Sequence, residues 1–365
     1  MAAGADATIL FTGFPGFIGM RLLPRLTDLA PGARLRCLVQ ARFLDAAREG
    51  LGRIEAEHPG ARGRIGLVVG DITAEGLGLG DADARDLKAT LTGAYHLAAV
   101  YDLAVTREIG MKVNVEGTRH VVRFLAECKR LERLHYVSTC YVSGTATGVF
   151  RESDLDLGQS FKNHYEETKF LAEVEVAKSG LPITVYRPSI VVGDSRTGET
   201  GKFDGPYFTL TAMEKLPSPG VFIKIGSGRN PANVVPVDFV TEALARLSVS
   251  PASRGRTYHL ADPAPLSVFE VGELFAREMG KRFAYLPVPK GLAKALFAPR
   301  AVQRHFGMPV QTLDYFDHPC RYDTTEAKRD LGAMGVACPP FASYVGPLVA
   351  FYRAHRDGVR RSAMT

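Results

Sequence analysis

Apolar positions along this chain fall into short β-favouring runs, separated by segments where they recur every three or four residues. That alternation predicts buried strands leading into amphipathic helices. Strands are expected at 8–12, 34–40, 65–72 and 94–100, at 134–144 with its exit loop, and at 181–189 with its exit. A helix follows the first run from about Gly16, is expected to kink at Pro24, and is ended by Pro31-Gly32. A glycine-rich connection, 76–80, precedes a short helix. Further helices are expected from Met111, where Val115, Val122 and Leu125 share a face, and over 163–173.

Beyond Ser189 the rhythm fails. Residues 193–201 are polar and glycine-rich, which suits a mobile loop. Phe203, Pro206, Tyr207, Phe208, Leu210 and Met213 then supply apolar side chains for a substrate cleft. Residues 233–240 return to the sheet, and the remainder reads as helical. The predicted fold class is α/β: a Rossmann doubly wound parallel sheet with a smaller, mainly helical C-terminal substrate lobe. The nucleotide-binding unit is expected to take 1–190 with 233–258 returning to it, and the lobe to take 191–232 and 259–365.

The first strand ends in a glycine turn, Thr12-Gly13-Phe14-Pro15-Gly16-Phe17-Ile18-Gly19. Gly13 allows the turn, Gly16 lets backbone approach a pyrophosphate, and Gly19 lets the helix pack on the sheet. Free N–H groups and the helix dipole then face the phosphates. Such a triplet alone is weak; its place between a strand and a helix makes it a dinucleotide site. An acid at the end of the second strand would accept from the ribose 2′-hydroxyl of NAD. Here stand Gln40, Ala41 and Arg42, with no acid until Asp45. That favours NADP, with NAD still open, and makes Arg42 the partner of a 2′-phosphate. Asp71 closes the third strand where the adenine edge would lie, and the small Ala98 and Ala99 would let the cofactor cross the fourth. His96 reads as a packed strand histidine, and the Asn114 amide could hold backbone groups.

Composition narrows the classes. An apolar share of 46% with 23% charged residues, over 365 residues, predicts a full core. No apolar run is long enough to span a membrane, and residues 1–6 lack the basic segment of a secretory leader. Five scattered cysteines, with no C-x-x-C pair, suit a reducing cytoplasm and argue against structural zinc. The net charge of +6 suits anionic ligands without demanding nucleic acid. From Lys281 to Leu313 there is no acid, while Lys281, Arg282, Lys290, Lys294, Arg300 and Arg304 are basic. This is either a solvated face or a docking surface for an acidic carrier, a coenzyme phosphate or, peripherally, a membrane.

Ser138 and Thr139 lie at the exit of the fifth strand, where chemistry gathers in open parallel sheets. Tyr165 and Lys169, four apart, share one helix face. Hydroxyl, phenol and ammonium would thus meet beside a nicotinamide, and a neighbouring ammonium is expected to lower the phenol's pKa. These motifs resemble an extended short-chain dehydrogenase/reductase. They are Thr12-Gly13-x-x-Gly16-x-x-Gly19, Gly70-Asp71, His96-Leu97-Ala98-Ala99, Asn114-Val115-x-Gly117-Thr118, Tyr165-x-x-x-Lys169, Arg187-Pro188-Ser189 and Val235-Pro236-Val237-Asp238. The glycine turn and Val137-Ser138-Thr139-Cys140-Tyr141-Val142-Ser143-Gly144 are most similar to the thioester-reductase branch, which includes male-sterility-type fatty acyl-CoA reductases and the reductase domains of carboxylic acid reductases. Gln40 departs from the arginine usual there.

The resemblance implies a catalytic set of Thr139, Tyr165 and Lys169, with Thr139 preferred to Ser138 by alignment on Gly144. It extends the cofactor site to Ile72, Asn114, Lys169, Pro188 and Ser189. It implies hydride transfer to a fatty acyl thioester, on coenzyme A or an acyl carrier protein, giving aldehyde or alcohol. A sugar-nucleotide epimerase, a hydroxysteroid-type dehydrogenase and a non-catalytic dinucleotide-binding regulator stay open, as do chain length and a homodimer.

Overall fold

Seven parallel strands form the central sheet: β1 (Thr8–Thr12), β2 (Arg34–Val39), β3 (Ile65–Val69), β4 (Leu91–His96), β5 (Arg133–Val137), β6 (Ile183–Pro188) and β7 (Thr257–Leu260). The computed structural model describes residues 7–306 and 308–362, so the expectation of no leader, which concerns residues 1–6, lies outside it. The strand order is β7-β6-β5-β4-β1-β2-β3. The chain leaves β1 toward one edge and returns at β4 on its other side, which opens a crevice above the carboxyl ends of these two strands. The strands are apolar because both faces are covered. Phe11, Leu35 and Tyr258 pack with Leu22, Leu26, Val240 and Leu244 on one face. Leu10, Leu134 and Val185 pack with Val121, Leu125 and Ala172 on the other.

Helix α1 (Phe17–Leu29) starts at Gly16 and runs through Pro24 without ending there; the expected kink does not interrupt it. Helices Leu44–Glu57 and Asp81–Thr90 follow on the sheet, and the helix expected from Met111 begins earlier, at Arg107. It passes through a π-helical segment, Met111–Glu116, into α2 (Gly117–Ala126). Helix α3 (His164–Ala177) is capped by Asn163, whose Oδ1 accepts from the Glu166 N–H at 3.0 Å.

Among the described residues three two-stranded parallel pairs lie outside the sheet: 148–150 with 320–322, 190–192 with 234–236, and 220–225 with 283–288. Strands 148–150, 220–225 and 283–288 had no clear sequence signal, because they are short, partly exposed and, in the last, carry Pro287. The division of the chain also differs in one place. Ala327 and Leu331, on the helix Thr325–Gly332, pack into the sheet core, whereas the sequence pattern assigns all of 259–365 to the substrate lobe. Among the described residues no helix is long and apolar enough to cross a membrane.

Three further expectations are corrected. The 193–201 loop is pinned, since Ser195 donates to Asp238 through N (2.8 Å) and Oγ (2.6 Å) and Glu199 pairs with Arg21 at 3.2 Å. In the segment 203–213, Tyr207, Leu210 and Met213 point into the lobe's own core with Phe275, Leu348 and Tyr352. A helix that docks on two others must spend its apolar face on them. The basic stretch is likewise not a bare patch. Lys281 donates to the Met213, Glu214 and Leu216 carbonyls at the end of helix Tyr207–Lys215, and Lys294 pairs with Asp314 at 2.7 Å. Lys290 lies 3.6 Å from Asp317.

Candidate active site

The turn after β1 closes on itself. Gly13 has φ +95°, and a Cβ there would lie 2.8 Å from the Leu97 Cβ; a Cβ on Gly19 would lie 2.6 Å from the Gly13 carbonyl oxygen. Only glycine permits this. No side chain caps α1, so its first N–H groups stay open to the crevice. Beside the turn, Thr12 Oγ1 accepts from the Ala98 N–H at 3.2 Å and contacts His96 Nδ1 at 2.8 Å. His96 Nε2 meets Thr118 Oγ1 at 3.0 Å. Burial and the charge of Lys169 push this histidine down to about 3, so it is a neutral packing residue.

One cleft of about 1140 Å³ runs from this turn into the C-terminal lobe. A pocket for one small molecule is about 300–1,000 Å³, so this cleft has room for a dinucleotide and a second ligand. The structure brings Thr12, Gly13, Phe14, Pro15, Gly16, Phe17, Ile18 and Gly19 to its wall, together with Arg42, Ile72, Ala98 and Ala99. Thr139, Tyr165, Lys169, Pro188 and Ser189 line it on the other side of β1. Asp71 and Asn114 stand behind the lining. Asp71 Oδ1 accepts from Thr73 N at 2.8 Å and Oγ1 at 2.9 Å. Partial burial raises its pKa, but Thr73, Gln40 and the charge of Arg42 outweigh burial and hold it below the ordinary value. Asn114 Oδ1 accepts from Val100 N at 2.8 Å and Nδ2 donates to Thr168 Oγ1 at 3.0 Å, tying the loop after β4 to α3. Arg42 is exposed at the end of β2, its Nε donating to Gln40 Oε1 at 2.8 Å.

The three candidate catalytic side chains come from two elements. Thr139 follows β5, and its Oγ1 accepts from Tyr141 N at 3.2 Å. Tyr165 and Lys169 lie on buried turns of α3. Burial drives the Tyr165 pKa up, and the Thr139 hydroxyl opposes it. Lys169 does not lower it: its Nζ donates to the Tyr136 hydroxyl at 3.0 Å and the Val137 carbonyl at 2.9 Å. The expected lowering of the phenol is therefore not met in the protein alone, because the ammonium reaches down to β5 and the phenol is buried. Lys169 itself is pushed down to about 8 by burial, with Glu173 pulling the other way.

Residues without a sequence signal complete the cleft. Tyr101 meets the Tyr165 ring edge-on at 5.1 Å between centroids, and Tyr315 meets Tyr141 at 4.9 Å. Tyr315 arrives from the C-terminal lobe, where its hydroxyl accepts from Asn163 Nδ2 at 2.7 Å, locking lobe and catalytic helix together. Only spatial neighbourhood reveals it. The apolar wall is formed mainly by Phe222, Ile223, Phe269, Val271, Tyr285 and Phe316; of the apolar side chains expected from 203–213, Pro206 lines the cleft, while Tyr207, Leu210 and Met213 are buried in the lobe core. The buried hydroxyls of Ser138 and Ser189 line the cleft with no partner. Unsatisfied hydroxyls, an uncapped helix and a glycine cradle fit a polar dinucleotide.

A doubly wound sheet with its cleft at the strand-order reversal gives this protein the NAD(P)-binding fold of the extended short-chain dehydrogenase/reductase type. The chain belongs to the male sterility protein family, whose NAD-binding sequence model matches residues 11–244. It is similar in structure to the terminal R domain from the myxalamid PKS-NRPS biosynthetic pathway, with TM-score 0.82 and 28% identity, over 97% of this chain and 92% of that one. Isonitrile lipopeptide synthase of Streptomyces coeruleorubidus is 28% identical over 87% of this chain and 21% of its own length. Fatty acyl-CoA reductase wat of Drosophila melanogaster is 26% identical over 66% of this chain and 53% of its own. The chain spans from 5% to 26% of the length of the peptide synthetases it matches.

Proposed function

We propose that the protein reduces a medium or long fatty acyl thioester, on coenzyme A or an acyl carrier protein, to the aldehyde, and on repetition to the alcohol. The observation that carries this reading is that Thr139, Tyr165 and Lys169 line one cleft whose wall is completed by the apolar Phe222, Ile223, Phe269 and Phe316. Likeness to an R domain and to a fatty acyl-CoA reductase supports the same chemistry. NADPH is the proposed cofactor, with Arg42 at the 2′-phosphate, the open end of α1 at the pyrophosphate, and Lys169 at the nicotinamide ribose.

The cofactor supplies a hydride. Thr139 Oγ1 and the Tyr165 hydroxyl hold the thioester carbonyl oxygen, and as the carbon gains hydride Tyr165 gives that oxygen its proton. The high pKa of a buried phenol keeps it protonated until negative charge forms beside it. The hemithioacetal so formed breaks its C–S bond to release thiol and aldehyde. Each methylene buried along the cleft is worth roughly 0.8 kcal/mol. Catalytic efficiency with NADPH should therefore climb about fourfold per carbon from C4 until the cleft fills. A flat response to chain length, or turnover of sterols or nucleotide sugars but of no acyl thioester, overturns the reading.

A further inference from the structure

Two carboxylates line the cleft, and they are held differently. Glu199 pairs with Arg21. Asp204 stands in the turn entering the helix Tyr207–Lys215, half-buried. Among the described residues its carboxylate forms no ion pair, and its only hydrogen bond comes from its own backbone N–H. Burial pushes its pKa up, and the nearby charge of Lys202 only partly offsets this. Asp204 lines the same cleft as Tyr101 and Tyr165, whose rings pack edge to face at 5.1 Å, and its charge helps raise the pKa of both phenols. Tyr141 and Tyr315 line the same part of the cleft.

A carboxylate half-drawn out of water with only its own backbone N–H as donor is costly, and aromatic faces attract cations. A carboxylate without an ion-pair partner, in a cleft also lined by the Tyr101 and Tyr165 rings, is a receptor for a positively charged group. The proton-transfer chemistry leaves it without a task, because Tyr165 already supplies the proton and Thr139 the second hydrogen bond.

We propose that Asp204, with the rings of Tyr101 and Tyr165, determines specificity by binding a protonated amine on the acyl group close to the reacting carbonyl. The inference rests on the thioester-reductase reading and narrows its substrate from a plain fatty acyl group to an amino-substituted one. An acyl group carrying a carboxylate at that place is repelled.

The test compares hexanoyl and 2-aminohexanoyl thioesters of N-acetylcysteamine, matched in length, by NADPH oxidation in the parent and in Asp204→Asn. In the parent, kcat/KM should favour the amino compound by about tenfold or more, the range of a charge-assisted hydrogen bond. In Asp204→Asn that ratio should fall below about threefold. An equal or reversed preference in the parent overturns the inference without needing the variant. A ratio unchanged in a variant that melts like the parent also overturns it. Reduction of hexanoyl without preference removes the cation site alone, whereas failure to reduce either thioester removes the reductase reading with it.

Discussion

Replacing Lys169 by methionine should stabilise the cofactor-free protein while abolishing turnover. The ammonium is buried, with 4% of its residue exposed, and its pKa is pushed from 10.5 down to about 8. That difference corresponds to about 3 kcal/mol by which the folded state disfavours the charge. The sign follows from proton binding. Below pH 8 both folded and unfolded chains carry the proton, and the folded chain bears the full penalty. Between about 8 and 10.5 the unfolded chain binds more protons, so parent stability gains about 1.4 kcal/mol per pH unit from this group. Methionine of similar length removes the penalty but leaves the Tyr136 hydroxyl and Val137 carbonyl without their donor, which costs about 1–2 kcal/mol. The net gain at pH 7 is about 1–2 kcal/mol, or roughly 1–3 °C in melting temperature for a chain of this size. Thermal unfolding of both proteins at pH 7, 8, 9 and 10 reads it directly, with the advantage of methionine shrinking above pH 8. A variant less stable than the parent at pH 7, or a difference independent of pH, refutes the reasoning.

Tyr165→Phe should keep cofactor binding and lose at least about a hundredfold in kcat, since only the proton donor is removed; near-normal turnover would end the assignment of that role. Arg42→Ala, at an exposed position, should weaken NADPH binding by about tenfold in a fluorescence titration and leave NADH nearly unchanged. Tighter NADH than NADPH binding in the parent would remove the 2′-phosphate site.

Local pattern was enough for the strands and the glycine turn of the nucleotide-binding half, though not for its helix Leu44–Glu57. The runs that became β1 to β6 are apolar because strands covered on both faces must be, and Gly13 is glycine because its φ of +95° admits little else. Tyr165 and Lys169 were legible as a pair because helical spacing alone puts them on one face. What they touch was not. Lys169 reaches Tyr136 and Val137 because α3 lies across β5, a contact over more than thirty positions that no spacing rule contains.

The substrate side belongs to tertiary structure almost entirely. Leu210 and Met213 are apolar in the sequence whether they line a cleft or a core, and the packing of three helices decided for the core. Lys290 and Lys294 are basic in either setting, and only the folding back of Asp314 and Asp317 gives them ion-pair partners on the same chain. Asp204 and Tyr315 carry no motif; Tyr315 meets Asn163, and Asp204 joins Tyr165 on the cleft wall, because the lobe closes over the sheet. Hydrophobic period and backbone sterics act within a few residues, so the sequence determined the strands, the glycine turn and the Tyr165–Lys169 face. Electrostatic partners and cleft walls are set by which distant segments a closed core brings together, and the tertiary structure alone decided those.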